Sequence, residues 1–271
     1  MTVNSATHTI DRPAPVPPVS AGGRAGFRQA LRAEYVKLSS VRVTMWLAVV
    51  MGALTPGIAV LVGLTESIQP DDTILGGGLT GAQTTLIVAA MFGVQAISGE
   101  FASGTIRATL TAFPRRVNVL AAKAVLVAGI VFVIALLSCS VAYGIGVLTL
   151  PGDVYARGDP MPALVGVACV FSAIAVMGLA IGTLLRHSAG AITAVIGVIL
   201  LPELFSPLFG DLQRWVAGAA PAAAVQKLAQ SSDAVPDAVG SLGAWPSLLV
   251  VCAYSAAALV AAARSLSSRD V

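Results

Sequence analysis

Six long apolar segments dominate the chain and leave it few folds to choose from. They cover roughly 45–64, 79–97, 119–150, 161–185, 189–201 with an extension toward 209, and 247–263. A bilayer crossing needs roughly 20 apolar residues, so four of these are ample and two are borderline. Only 11% of the 271 residues are charged and the mean hydropathy is +0.87. Soluble domains carry about a quarter charged residues, so the chain reads as an all-α integral membrane protein of six spans.

The third segment overshoots. From residue 124 to 150 alone, a rise of ~1.5 Å per residue gives ~40 Å against a hydrocarbon core of ~30 Å. It must tilt or begin in the interface, and Lys123 near its start is expected to snorkel to the headgroups.

Basic residues predict the orientation. With the N-terminus inside, 13 of the 16 Lys and Arg fall on the cytoplasmic side, and only Arg157, Arg214 and Lys227 fall outside. Such a bias sets topology, so both termini are expected in the cytoplasm and the protein in the plasma membrane. Residues 1–23, with Pro13, Pro15, Pro17 and Pro18 among small polar residues, read as a disordered tail. The first apolar run starts too late for a secretory leader. The predicted organisation is this tail, an interfacial helix over 24–44, a six-span membrane domain over 45–264 and a cytoplasmic tail over 265–271.

Within 24–44, Phe27, Leu31, Tyr35 and Leu38 recur at helical spacing while Arg28, Arg32, Lys37 and Arg42 take other faces. A bare basic flank needs no apolar stripe, so this segment predicts an amphipathic helix lying in the interface. At the other end of the domain, Pro202, Glu203 and Pro207 interrupt the fifth segment and short apolar pieces follow. Residues 202–245 form either a long outer loop or a re-entrant hairpin. Glu203 reads as an interfacial carboxylate.

Between the second and third spans lies ISGEFASGTIRATLTAFPRR, from 97 to 116. An arginine at a helix centre costs ~2.5–3.5 kcal/mol on insertion scales, so Arg107, Arg115 and Arg116 force this stretch into the cytoplasm. A purely topogenic loop needs only charge. Here a Ser or Gly start, Ile106, Leu110 and Phe113 on one face and a stop at Pro114 describe a helix of about three turns with an apolar face free to dock. Glu100 is what a topogenic loop explains worst.

The strings GEF, GTIRATLTAFPRR and LAAK between 99 and 123, with AEYVKLSSVR at 33–42, resemble permease subunits of ATP-binding-cassette transporters of the type-two exporter family, especially the small actinobacterial kind. Glu100, Gly104, Thr105, Arg107, Pro114 and Lys123 match the family pattern. The resemblance implies that 103–113 is a coupling helix seated in a separate ATPase subunit, with Glu100, Gly104, Thr105, Ile106, Arg107, Leu110, Phe113, Pro114, Arg115 and Arg116 as its contact. It likewise implies that the helix bearing Phe27, Leu31, Tyr35, Lys37 and Leu38 is the family's interfacial connecting helix. Two ATPase copies, a second permease chain, identical or paralogous, and the lipid bilayer are the expected partners. ATP and Mg are expected on the ATPase, with no cofactor bound by this chain.

Other classes find little support. The chain has no G-x-x-x-x-G-K-[ST] motif; the glycine-rich stretch at 76–85 lacks the lysine. Its basic residues form no stripe with interleaved aromatics, so nucleic-acid binding is not expected. Two histidines in a tail and a loop leave no material for a histidine metal site or triad, and Cys139, Cys169 and Cys252 read as buried thiols. No carboxylate or histidine sits at mid-depth, as an ion-coupled secondary transporter would need. A non-transporting scaffold or signalling subunit on the same fold is the remaining alternative. A seam without ionisable groups suits a hydrophobic, peptide or drug-like cargo. The Gly178-x-x-x-Gly182 spacing permits close helix packing, although with 27 glycines such pairs arise by chance.

Overall fold

The computed structural model describes residues 27–105 and 116–268. All regular structure among them is helical, and six helices are long and apolar enough to cross a membrane. In chain order they are α1 (Phe27–Ser40), α2 (Arg42–Thr65), α3 (Ile74–Gly78), α4 (Ala82–Ser103), α5 (Arg116–Thr149), α6 (Pro160–Leu185), α7 (Ser188–Phe205), a 3₁₀ stretch (Ser206–Leu212), α8 (Gln213–Gly218), α9 (Pro221–Leu228), α10 (Pro236–Val239) and α11 (Ala244–Ser268). The spans are α2, α4, α5, α6, α7 with the 3₁₀ stretch, and α11 with the residues before it.

The core is built on α4 and α6. Of their most apolar 18-residue windows, 56% and 67% is buried within the chain, against 22% for α2 and 17% for the fifth span. Hydropathy does not separate these helices; what joins α4 to α6 is the placing of particular glycines. Between apolar helices in lipid, association depends on close van der Waals packing, which small residues permit. A Cβ at Gly93 would stand 1.8 Å from the Ala175 carbonyl oxygen, and one at Gly178 2.3 Å from that of Ala90. The two backbones therefore touch where the side chains are missing. The Gly178–Gly182 spacing serves this packing inside the chain, with Gly182 set against Ile97.

Polar side chains reinforce the bundle. Thr55 on α2 donates to Thr85 on α4 at 2.9 Å, and Ser138 on α5 donates to the Gly52 carbonyl at 3.0 Å. Pro56 lies inside α2 and Pro202 inside α7, where each removes a backbone donor.

At the end of the bundle far from α1, the chain does more than turn. The start of the glycine-rich stretch belongs to α3, buried throughout and packed on α5. Residues 202–245 fold back as short helices. In α9 Ala222, Ala223, Ala224, Val225 and Leu228 are buried and face α6 and α11, so this part packs onto the bundle instead of running as an extended loop. Three connections meet there. Gln69 donates to Asp233 (3.0 Å), the Asp72 carboxylate accepts from the Ser232 amide (3.2 Å), and the Gln230 side chain accepts from the Asp159 amide (3.1 Å). Burial pushes the Asp72 carboxyl above its ordinary value, against the lowering effect of its backbone hydrogen bonds to Thr73 and Ser232.

α1 stops at Ser40, the chain bends through Val41 in an extended conformation, and α2 starts at Arg42, earlier than the apolar run suggests. The expected apolar stripe is only partly the buried one. Leu38 is buried and Leu31 half-buried, but Tyr35 is exposed; the residue that completes the buried face is Glu34. Phe27 opens the helix.

Candidate functional site

The second apolar segment continues as helix beyond Ile97, so α4 carries Glu100 and Ser103 on its last turn. Gly104 ends it in the left-handed region at φ +70°, a conformation open to glycine at little cost. Ser103 closes the turn by donating to the Gly99 carbonyl (2.8 Å) and shares a hydrogen bond with Thr105 (2.9 Å). The predicted coupling helix begins here. Ile106, Arg107, Leu110, Phe113, Pro114 and Arg115 lie outside the described residues, as does the side chain of Arg116, whose backbone opens α5.

Around the last turn of α4, four charges from three helices converge. Lys123 on α5 binds Glu34 on α1 and, at 3.0 Å, Glu100 on α4. Lys37, one turn beyond Glu34, reaches Glu34 at 2.9 Å and Glu100 at 3.1 Å. Lys123 is 1% exposed, Glu34 2% and Glu100 8%. Two carboxylates and two ammonium groups make the cluster neutral, and each carboxylate touches both lysines. Burying charges out of water costs several kcal/mol each, which only such mutual pairing offsets.

The pairing overturns the expectation for Lys123. A snorkelling lysine keeps its ammonium in the headgroups, whereas this one points inward and joins α5 to both α1 and α4. Burial alone would lower the Lys37 ammonium, but the hydrogen bond to Glu34 and the charge of Glu100 outweigh it and hold its pKa above the ordinary lysine value. Lys37 therefore stays charged at any physiological pH.

Glu34 was the residue that sequence reasoning passed over, since attention went to the apolar and basic residues of 24–44. The signal was present. Residues 27, 31, 34 and 38 keep the spacing of one helix face, and an acid on an otherwise apolar stripe needs a buried cation.

Two further features mark this end. Glu100 uses one oxygen for both lysines, and its Oε2 is buried with no hydrogen-bond partner among the described residues. Its side chain borders a groove of about 430 Å³ between α1 and the end of α4, also lined by Lys37, Gln95, Gly99, Ser103 and Thr105. Beside it, the Arg186 guanidinium lies 5.6 Å from the centroid of the Phe101 ring, a cation–π contact. Arg186 is the left-handed cap of α6, so the turn between α6 and α7 also rests on the end of α4.

The model of the ABC-2 family transporter protein matches residues 34–271. The chain belongs to the ABC-2 transporter family. No curated protein matches it at a comparable level. All four residues of the charge cluster lie inside the matched stretch. As an ABC-2 membrane component, the chain is a multi-pass permease of an ABC transporter, and that family pairs such permeases with a separate ABC ATPase. The cluster thus sits in the permease at the root of the segment whose sequence resembles a coupling helix.

Proposed function

We propose that this ABC-2 permease works as an exporter subunit, with both termini in the cytoplasm, and moves a hydrophobic, peptide or drug-like cargo. A pair of permease chains, identical or paralogous, is served by two ATPase subunits that bind the ATP and Mg. Nucleotide-driven closure of the ATPases displaces segment 103–113 as a rigid lever. The contact on the permease side runs along this segment to Arg116, with Glu100 at its root.

One observation carries this reading: the helix turn that leads into the lever is bound through Glu100 to Lys123 on α5 and to Lys37 on α1. A push on that turn cannot move α4 alone. The charge cluster makes α1 and the start of α5 follow, and the backbone contact at Gly93 and Gly178 makes α6 follow. Close-packed helices transmit displacement because their interiors scarcely compress. The outcome is a switch between inward-facing and outward-facing arrangements of the pair.

The test is co-reconstitution with the cognate ATPase in proteoliposomes, comparing wild type, Glu100→Ala and Arg107→Glu for ATPase retention and ATP-dependent flux of a fluorescent hydrophobic cargo. Arg107→Glu is expected to release the ATPase. Glu100→Ala is expected to keep it bound but lose most of the flux, since the lever is then uncoupled from α1 and α5. Wild-type flux in both variants would refute the reading. Flux driven by an ion gradient with no ATPase present would replace it with secondary transport.

A further inference from the structure

The faces of α1 divide its charge unevenly. Between 27 and 42 the chain has one acid, Glu34, and it is turned inward and used by Lys37 and Lys123. Arg28, Arg32 and Arg42 are all exposed, and none makes an ion pair among the described residues. Arg28, Arg32, Tyr35 and Ser39 follow at intervals of four, three and four, so they share one helix face. Folding therefore leaves an exposed face that is basic without compensation.

That face borders an apolar cleft of about 130 Å³ where α1 turns into α2. It is lined by Tyr35, Leu38, Ser39, Met45, Ala48 and, at the back, Phe92. Sites for drug-sized molecules run from about 300 to 1,000 Å³, so the cleft is too small for cargo, and its apolar wall gives a hydrated ion nothing to bind. An alkyl chain fits both size and chemistry. Tyr35 and Met45 of its lining are exposed, and exposed Trp46 follows Met45 in the chain; Tyr and Trp are the side chains found at the level of lipid headgroups. Arg32 lies one turn before Tyr35 on the exposed face of α1, and Arg42 opens α2 just past the bend at Val41, so each of the two helices that form the cleft carries an exposed arginine close in sequence to its lining.

We propose that this is a binding site for one anionic phospholipid, with its headgroup phosphate between Arg32 and Arg42, an acyl chain in the cleft and Arg28 adding to the attraction. Guanidinium forks match phosphate oxygens in pairs. The site rests on the membrane reading of the fold and not on the transport reading, and its test needs no ATPase. A lipid held against both α1 and α2 at their junction anchors the helix that bears Glu34 and Lys37.

Full-length protein, delipidated in mild detergent, is titrated with phosphatidylglycerol and with phosphatidylcholine of the same chain length, and bound lipid is counted by native mass spectrometry. A basic residue at an anionic surface is worth about a fivefold change in binding. Wild type is expected to prefer phosphatidylglycerol at least tenfold, Arg42→Gln to lose about fivefold and Arg32→Gln/Arg42→Gln on the order of 25-fold. Ala48→Phe, which fills the cleft, is expected to weaken both lipids. Arg264→Gln, an exposed arginine on α11, is expected to change neither. The site is overturned if the double variant keeps the preference within twofold, if Arg264→Gln loses as much as Arg42→Gln, or if Ala48→Phe binds both lipids as wild type does. Arg42→Gln alone decides the question should the double variant not fold.

Discussion

Replacing Lys123 by methionine gives the sharpest check on the charge cluster, because methionine follows the lysine side chain out to Cε and lacks the ammonium group. Two unit charges 3.0 Å apart attract by about 5 kcal/mol at an effective dielectric of 20, and Lys123 makes two such contacts. The variant recovers the cost of desolvating one ammonium, but it leaves Glu34 and Glu100 sharing Lys37 alone, with one negative charge in excess in a site that water hardly reaches. Breaking a buried pair from one side typically costs about 3–5 kcal/mol. For a chain of this size that lowers the unfolding midpoint on the order of 10 °C. The assay is thermal unfolding of detergent-solubilised protein, followed by the fluorescence of its three tryptophans. Adding Glu34→Gln to Lys123→Met makes the cluster neutral again, and the double variant is expected to regain at least half of the loss, a coupling that independent sites do not show. If Lys123→Met unfolds within about 2 °C of wild type, or if Glu34→Gln adds its own loss in full, Lys123 is not the buried partner of these acids and the proposed relay from α4 to α1 fails.

Other consequences are checked more simply. Gly93→Val and Gly178→Val place atoms inside the backbone of the facing helix and are expected to abolish monodisperse protein in size-exclusion chromatography, whereas Gly99→Ala, with open space where its Cβ would stand, is expected to leave the profile unchanged. Thr85→Val removes the acceptor of a buried hydroxyl and is expected to cost about 0.6–1.7 kcal/mol in denaturant titration, while Thr55→Val/Thr85→Val costs less than the sum of the single changes. Asp72 carries a raised pKa, so its ionised form weighs against the folded state above that pKa and the penalty is relieved as pH falls through it. The stability of wild type relative to Asp72→Asn is therefore expected to rise between neutral and mildly acidic pH, and a flat or opposite difference refutes the assignment. For topology, an impermeant thiol reagent applied to intact cells is expected to label Gly152→Cys and spare Ser267→Cys in a background with Cys139, Cys169 and Cys252 replaced by alanine; the reverse result inverts the orientation and leaves the lever without an ATPase.

The candidate site was half legible. Glu100 stood out because an acid has no place in a basic topogenic loop, and Lys37 and Lys123 were visible as charges beside apolar runs. Their partners were not visible, because Glu34 and Lys123 are 89 positions apart and periodicity carries no information on which helices meet. The glycines show the same limit from the other side. Gly178 and Gly182 were noticed and discounted, since in a chain with 27 glycines spacing alone cannot tell a packing surface from chance; only the carbonyl of Ala90 opposite Gly178 decides it. The short helices α3 and α9 escaped because a run of four to eight small residues has too few turns to show a period.

What the sequence determined by itself is the solvent of each segment. Transfer of a side chain between water and hydrocarbon is additive along the chain to a first approximation, so 24 residues from Arg42 to Thr65 specify a crossing wherever their neighbours lie. Lipid is as apolar as the helices it surrounds and does not tell them which faces to join. That choice fell to close backbone contact at Gly93 and Gly178 and to four charges that compensate one another, and both are properties of helices already brought together.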